Sequence, residues 1–342
     1  MSLDFDSLQD IAQAMTIKGK GILAADESNP TCKKRFDSIG VDSTEQNRNI
    51  YRDMLFTTKG MEEFISGVIL FDETIRQSTI KERVSFPDFL SGLGVIPGIK
   101  VDAGAKHLSG TNDEKVTEGL DGLDDRLKEY YSLGARFAKW RAVITIGDSE
   151  PSGTCISANA HALARYASLC QKNGIVPIVE PEILMDGAHP IEDSFFVSEE
   201  VLHTVFYELY GQNVELEGMV LKPNMVLSGY NCSDQASVEQ VAELTVTVFK
   251  RSVPSAVPGI AFLSGGQSDE HATAHLNAMN QLIGDNSPWN LTFSYGRALQ
   301  APALKAWTGK DENISDAQEA FYKRAKLNSL ATKGDYSAGM ES

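Results

Sequence analysis

Three lysines fall inside short apolar segments: Lys222 in GMVLKPNM, Lys100 in VIPGIKVD and Lys139 in FAKWRAVITI. An ammonium group in such a setting is costly unless something pairs with it or uses it. Desolvation and neighbouring cations lower a lysine pKa from its free value of about 10.4, which makes a neutral amine nucleophile accessible near neutral pH. The chemistry this suggests is a Schiff base with a carbonyl substrate. The competing reading is that each lysine lays its stem along apolar surface and keeps its head in water.

Groups of this kind need a scaffold that brings distant segments to one place. Apolar, β-favouring segments begin near Ile22, Ile65, Ile96, Phe137, Ile175, Gly218, Gly259 and Asn290. Between them lie stretches with helical periodicity, such as LDDRLKEYYSLG, SANAHALARYASLCQKNG and SVEQVAELTVTVFKRSV. Gly60, Gly134, Gly174, Gly211 and Gly284 are placed to end helices. Strand and helix alternating eight times predicts a parallel (β/α)8 TIM barrel, with a doubly wound sheet as the competing architecture. Leu8, Ile11, Ala12 and Met15 share one face of an extra N-terminal helix, expected to cover the barrel. After Leu330 the residues turn small and polar, so residues 1–330 are expected to form one catalytic domain and 331–342 a flexible tail.

In such a barrel, chemistry sits at the C-terminal ends of the strands. The residues trailing the apolar segments are, in order, Asp26, Glu73, Lys100, Lys139 with Arg141, Glu180 with Glu182, Lys222, Ser264 and Arg297. Alternate spacing puts Lys139 and Arg141 on one strand face, and likewise Glu180 and Glu182. FLSGG after the seventh strand and SYGRAL after the eighth offer backbone N–H groups, a hydroxyl and a guanidinium, where barrels of this type commonly hold a phosphate. Lys100, with Ser28 and Thr31, could hold a second phosphate across the mouth. A substrate phosphorylated at both ends follows.

Composition narrows the partners. The chain has 342 residues, 47 acidic against 31 basic, and a formal charge of −16, which argues against general affinity for nucleic acid or anionic membrane. Cys32, Cys155, Cys170 and Cys232 are widely spaced, as expected of reduced thiols. The start MSLDFDSLQD lacks the basic and apolar pattern of a signal peptide, so a soluble cytoplasmic protein is expected. Of six histidines, only His271 and His275 stand four apart, without an HExxH motif or a suitably spaced carboxylate, and no metal site is expected.

The strings LAADES, IPGIKVD, FAKWRAV, PIVEPEIL, LKPNM, PGIAFLSGGQS and FSYGRALQ span nearly the whole chain. Together they closely resemble class I fructose-bisphosphate aldolase, the metal-free Schiff-base type. The resemblance implies reversible cleavage of fructose 1,6-bisphosphate to dihydroxyacetone phosphate and glyceraldehyde 3-phosphate, in glycolysis and gluconeogenesis, by a homotetrameric barrel without a cofactor. It also implies roles. Lys222 looks like the amine that condenses with the ketone, Glu180 its acid/base, Asp26 the group at the C4 hydroxyl, Lys139 the cation that keeps the carboxylates ionised, and Glu182 a supporting carboxylate. Ser264, Gly265, Gly296 and Arg297 match the C1-phosphate site, and Ser28, Thr31, Lys100 and Arg141 the C6 end.

Two departures stand out. Asn29, Pro30 and Thr31 replace the Thr-Gly-Ser typical of the animal enzymes, and the chain ends Gly339-Met340-Glu341-Ser342 where animal and plant relatives end in tyrosine. Tyr336 is the sole tail tyrosine; a rim carboxylate or water is the favoured agent for the proton exchange that the terminal tyrosine assists. The alternatives are another Schiff-base sugar-phosphate aldolase or transaldolase, or a non-catalytic scaffold. The paired phosphate sites and the intact Asp26, Lys139, Glu180 and Lys222 argue against them.

Overall fold

The computed structural model describes residues 5–342. Eight parallel strands close into a barrel: β1 Gly21–Ala24, β2 Ile65–Leu70, β3 Ile96–Lys100, β4 Phe137–Ile144, β5 Val176–Ile183, β6 Val220–Leu221, β7 Gly259–Phe262 and β8 Asn290–Tyr295. They pair in sequence order and β8 returns to β1, which makes the (β/α)8 TIM barrel expected from the alternating pattern. Strands covered on both faces are apolar except where a charge is paired at the barrel mouth, and β2 and β5 are buried at every position. A short antiparallel hairpin, Ala105–His107 with Lys115–Thr117, follows β3 and was not anticipated.

The barrel interior near the strand starts is filled by Ile22, Ile96, Phe137, Val176, Ile178 and Val220. Phe137 takes most of this room: a Cβ on Gly98 would lie 2.2 Å from its ring, so β3 needs glycine there. Ile11, Ala12 and Met15 of helix Leu8–Met15 pack onto this cluster and close that end. The helix starts where Ser7 accepts a hydrogen bond from the Asp10 amide, a local N-cap signal. The opposite end, at the strand C-termini, is left for polar groups.

Register decides which polar groups meet. Lys100 lies beside Lys139, and Arg141 beside Glu180. The helix after β5 runs through Gly211, so the glycine expected to end it does not; Asn213, at φ +54°, makes the left-handed turn instead. The tail also departs from expectation. The last long helix extends through Ala331, past the boundary drawn at residue 330, and Tyr336 is buried. The Tyr336 amide donates to Asn277 Oδ1 at 2.9 Å, its hydroxyl to Glu341 Oε1 at 2.8 Å, and Glu341 pairs with Arg324 at 2.7 Å. Small polar composition signalled mobility, but these specific contacts dock the segment against the barrel's outer helices.

Candidate active site

At the C-terminal ends of the strands lies a cleft of about 270 Å³. Four charged groups of alternating sign cross its floor. Asp26, two residues beyond β1, has Oδ2 2.7 Å from Lys139 Nζ of β4. Lys139 Nζ is 3.4 Å from Glu180 Oε2 of β5, and Glu180 Oε1 is 3.0 Å from Lys222 Nζ. Lys222 directly follows β6, and its amide donates to the Val179 carbonyl at 2.8 Å, continuing the ladder into the site. Lys139, Glu180 and Lys222 are each only 3–4 % exposed. Burying such charges is tolerable only because each touches an opposite one.

The row fixes protonation states. Burial raises the Asp26 carboxyl, but Lys139, Lys222 and Lys100 outweigh it and hold the group well below the usual carboxylate range. Glu180 follows the same pattern: burial raises it, and Lys139, Lys222 and Arg141 bring it below its ordinary value. Burial alone would discharge Lys139, yet Asp26, Glu180 and Asp102 raise its pKa and keep its proton on. Glu180 Oε2 is buried and, among the described residues, accepts no hydrogen bond. It retains capacity for a reacting proton. Above it, Arg141 pairs with Glu182.

The two loops past β7 and β8 form one wall. Ser264, Gly265 and Gly266 follow β7, with the glycines at φ +54° and +82°. A Cβ on Gly266 would come within 1.8 Å of the Tyr230 hydroxyl, so the backbone approaches as only glycine allows. Tyr230 in turn donates to the Gly265 carbonyl. After β8, Gly296 precedes helix Arg297–Trp307, and Arg297 Nη2 donates to the Gln267 carbonyl at 3.2 Å, tying the loops together. Exposed amides, a helix N-terminus and a guanidinium suit an anion.

Across the mouth, Ser28 begins helix Asn29–Asp37 without using its side chain as a cap; its hydroxyl lies 3.1 Å from Thr31 Oγ1. Lys100 ends β3 with Nζ 3.5 Å from Asp102. Asp26, Ser28, Thr31, Lys100, Lys139, Arg141, Glu180, Glu182, Lys222, Ser264, Gly265, Gly296 and Arg297 all line the one cleft.

Sequence reasoning also missed and misplaced groups. Glu73 does not line the cleft: its carboxylate is held by Arg48 at 2.7 and 2.6 Å. Tyr336 is absent from the lining as well. Glu27, Arg35, Gly266 and Ser294 line it but were not picked out. Glu27 adjoins Asp26 in LAADES and could have been noticed, whereas Arg35 sits on a helix, where strand-end logic does not look. Among the described residues, no group of three or more His, Cys, Asp or Glu is arranged to hold a metal ion, and no helix is long and apolar enough to cross a membrane. Cys32, Cys155, Cys170 and Cys232 are free thiols.

Residues 7–342 match the family model described as fructose-bisphosphate aldolase class-I. A probable fructose-bisphosphate aldolase class 1 of Xanthomonas axonopodis pv. citri is 57 % identical over 98 % of this chain and 99 % of its own length. The cytosolic fructose-bisphosphate aldolase 4 of Arabidopsis thaliana is also 57 % identical, over 93 % of this chain and 80 % of the relative. Among solved structures, the Plasmodium falciparum fructose-bisphosphate aldolase, in complex with TRAP and a small-molecule inhibitor, superposes with a TM-score of 0.95 at 51 % identity, covering 99 % of this chain and 98 % of that one. The chain belongs to the class-I fructose-bisphosphate aldolase family.

Proposed function

We propose that this aldolase cleaves fructose 1,6-bisphosphate through a Schiff base on Lys222, with Glu180 and Asp26 moving the protons. The observation that carries the assignment is the buried alternating row Asp26, Lys139, Glu180, Lys222, in which Glu180 touches both lysines. Lys222 passes a proton to Glu180, and the freed amine adds to the C2 carbonyl to form a carbinolamine. Glu180 returns the proton to the C2 hydroxyl, which leaves as water and gives the protonated imine. Asp26 takes the proton of the C4 hydroxyl as the C3–C4 electron pair moves into the imine. Glyceraldehyde 3-phosphate departs and an enamine remains. A rim carboxylate or water delivers a proton to C3, Asp26 gives up to solvent the proton it took, and hydrolysis of the imine by water releases dihydroxyacetone phosphate and restores the amine. Lys139 keeps its charge throughout and holds Asp26 and Glu180 ionised between steps.

In this reading Ser264, Gly265, Gly296 and Arg297 bind the C1 phosphate, and Ser28, Thr31, Lys100 and Arg141 the C6 phosphate. The class-I family is metal-independent, and Lys222 supplies the electron sink that a metal would otherwise provide. The cytosolic Arabidopsis relative supports a cytoplasmic enzyme of glycolysis and gluconeogenesis. By family likeness it acts as a homotetramer, with sugar phosphates as its ligands. The direct test is intact-mass measurement after incubation with dihydroxyacetone phosphate and borohydride, followed by peptide mapping. A reduced adduct on the Lys222 peptide is the expected result.

Arg297→Ala is expected to weaken bisphosphate binding by about 2 kcal/mol or more, roughly 30-fold, because a charge-assisted phosphate contact is lost. Unchanged binding in a calorimetric titration with the Schiff-base-incompetent Lys222→Arg background would refute that role.

Tyr336 tests the tail. Burial, with the bond to Glu341, pushes its phenol up to about 12, and its hydroxyl is already engaged. Tyr336→Phe is therefore expected to leave both cleavage and detritiation of dihydroxyacetone phosphate within about tenfold of the parent, with a rim carboxylate or water exchanging the proton. A much larger loss of exchange, with Schiff-base formation intact, would assign the proton transfer to Tyr336.

A further inference from the structure

Behind the cleft, one carboxylate serves two guanidiniums. Glu27 is buried, and it pairs with Arg35 through Oε1 and with Arg52 through Oε2. Gln300 Nε2, on the helix that begins with Arg297, donates to Glu27 Oε1 at 2.9 Å and to the Ala24 carbonyl at 2.7 Å. The two arginines differ in what they can reach. The Arg52 side chain is 2 % exposed and does not line the cleft, whereas that of Arg35 is 25 % exposed and does. The trio therefore carries a surplus positive charge, and only Arg35 can present it to a ligand.

We propose that Arg52 is a positioning residue for the C6-phosphate end of the substrate: it neutralises and fixes Glu27, which holds Arg35 over the cleft with its charge left for the phosphate. Arg35 lies on the helix that opens with Ser28 and Thr31, so its guanidinium joins that end. Removing one partner of a buried ion pair is destabilising whatever that partner's role, so stability does not separate a structural Arg52 from a positioning one, whereas selectivity for the C6 phosphate does. With Arg52 gone, Arg35 alone compensates Glu27, and the surplus charge disappears from the cleft. Burial raises the Glu27 carboxyl, but Arg52 and Arg35 outweigh it and keep the group ionised, consistent with a permanent anion at the centre of the trio.

This inference rests on the reading that the Ser28–Thr31 end takes the C6 phosphate, and two substrates separate the two. Fructose 1-phosphate lacks that group. Arg52→Met is expected to lower kcat/KM for fructose 1,6-bisphosphate about tenfold, mainly through KM, the loss expected for one charge-assisted contact, and to leave fructose 1-phosphate within about twofold. Arg52→Lys, which keeps the charge but not the fork, should recover most of the bisphosphate activity. Equal losses on both substrates would overturn the proposal and leave Arg52 a structural residue. Arg35→Met is the control: selective loss of bisphosphate activity there, without it in Arg52→Met, refutes the Arg52 role alone, while no selectivity in either variant refutes the placement of the C6 phosphate too. Should Arg52→Met fail to fold, Arg52→Lys carries the test. A few-fold loss confined to the bisphosphate supports the proposal, and an equal loss on both substrates overturns it.

Discussion

Lys222→Arg is expected to lose at least about 10⁴-fold in kcat and all borohydride-dependent labelling while remaining folded. The guanidinium keeps the positive charge that Glu180 needs 3.0 Å away, but it does not deprotonate and cannot form an imine. Lys222→Ala should be equally inactive and less stable, since it leaves the buried Asp26 and Glu180 with Lys139 as their only lysine contact. The other two candidate amines are poorly placed. Lys139 lies between two carboxylates that keep it protonated, and the Lys100 side chain, 21 % exposed, lies 3.5 Å from Asp102 at the rim. Dihydroxyacetone phosphate trapped on Lys139 or Lys100 in the parent enzyme, or label persisting in Lys222→Ala, would remove Lys222 from the mechanism. Loss of label without loss of cleavage would do the same.

The sequence spoke most clearly where one physical cause acted alone. Barrel strands are covered on both faces, so segments such as VPIVEPEI, Val176–Ile183, are apolar except where a charge is needed at the mouth. Those exceptions, Glu180 and Glu182, stand out because the background is uniform. The same contrast exposed Lys139 and Lys222. Glu73 occupies an equivalent position after β2, yet Arg48 on the helix Glu45–Phe56 draws it away from the cleft, and nothing near Glu73 in the chain announces that partner. Arg35 and Arg52 were hidden for the converse reason. Helical arginines are ordinarily surface residues, and only the fold reveals that Arg52 is buried against Glu27. The tail failed for want of a local signal too: small polar residues describe mobile segments, but Tyr336, Glu341, Arg324 and Asn277 form contacts that span 59 residues of sequence. Gly211 shows the limit of reading punctuation. A glycine near a helix end was available, and the chain turned two residues later at an asparagine.

Lys139→Met is expected to make stability fall as pH rises through the neutral range, where the parent's buried carboxylates give no slope. In the parent, Asp26 and Glu180 have carboxyl pKa values depressed by folding, so they contribute stability that is fully present above the unfolded carboxylate range near 4 and is lost as pH falls through the folded values. Between pH 5.5 and 8 these two groups therefore give a flat profile. Methionine fills similar volume without charge, leaving two buried carboxylates to share Lys222. Breaking a buried pair in this way costs about 3–5 kcal/mol, and one carboxyl of the two should then titrate above its unfolded value. A group raised in the native state binds more protons there than in the unfolded chain, so stability falls as pH rises, by up to about 1.4 kcal/mol per pH unit while that group titrates. Urea unfolding of both proteins at pH 5.5 and pH 8 measures the two slopes directly. Parallel profiles, or a loss below about 1 kcal/mol at pH 8, would mean that Lys139 is not what keeps Asp26 and Glu180 charged, and the division of labour between a permanently charged Lys139 and a reactive Lys222 would have to be abandoned.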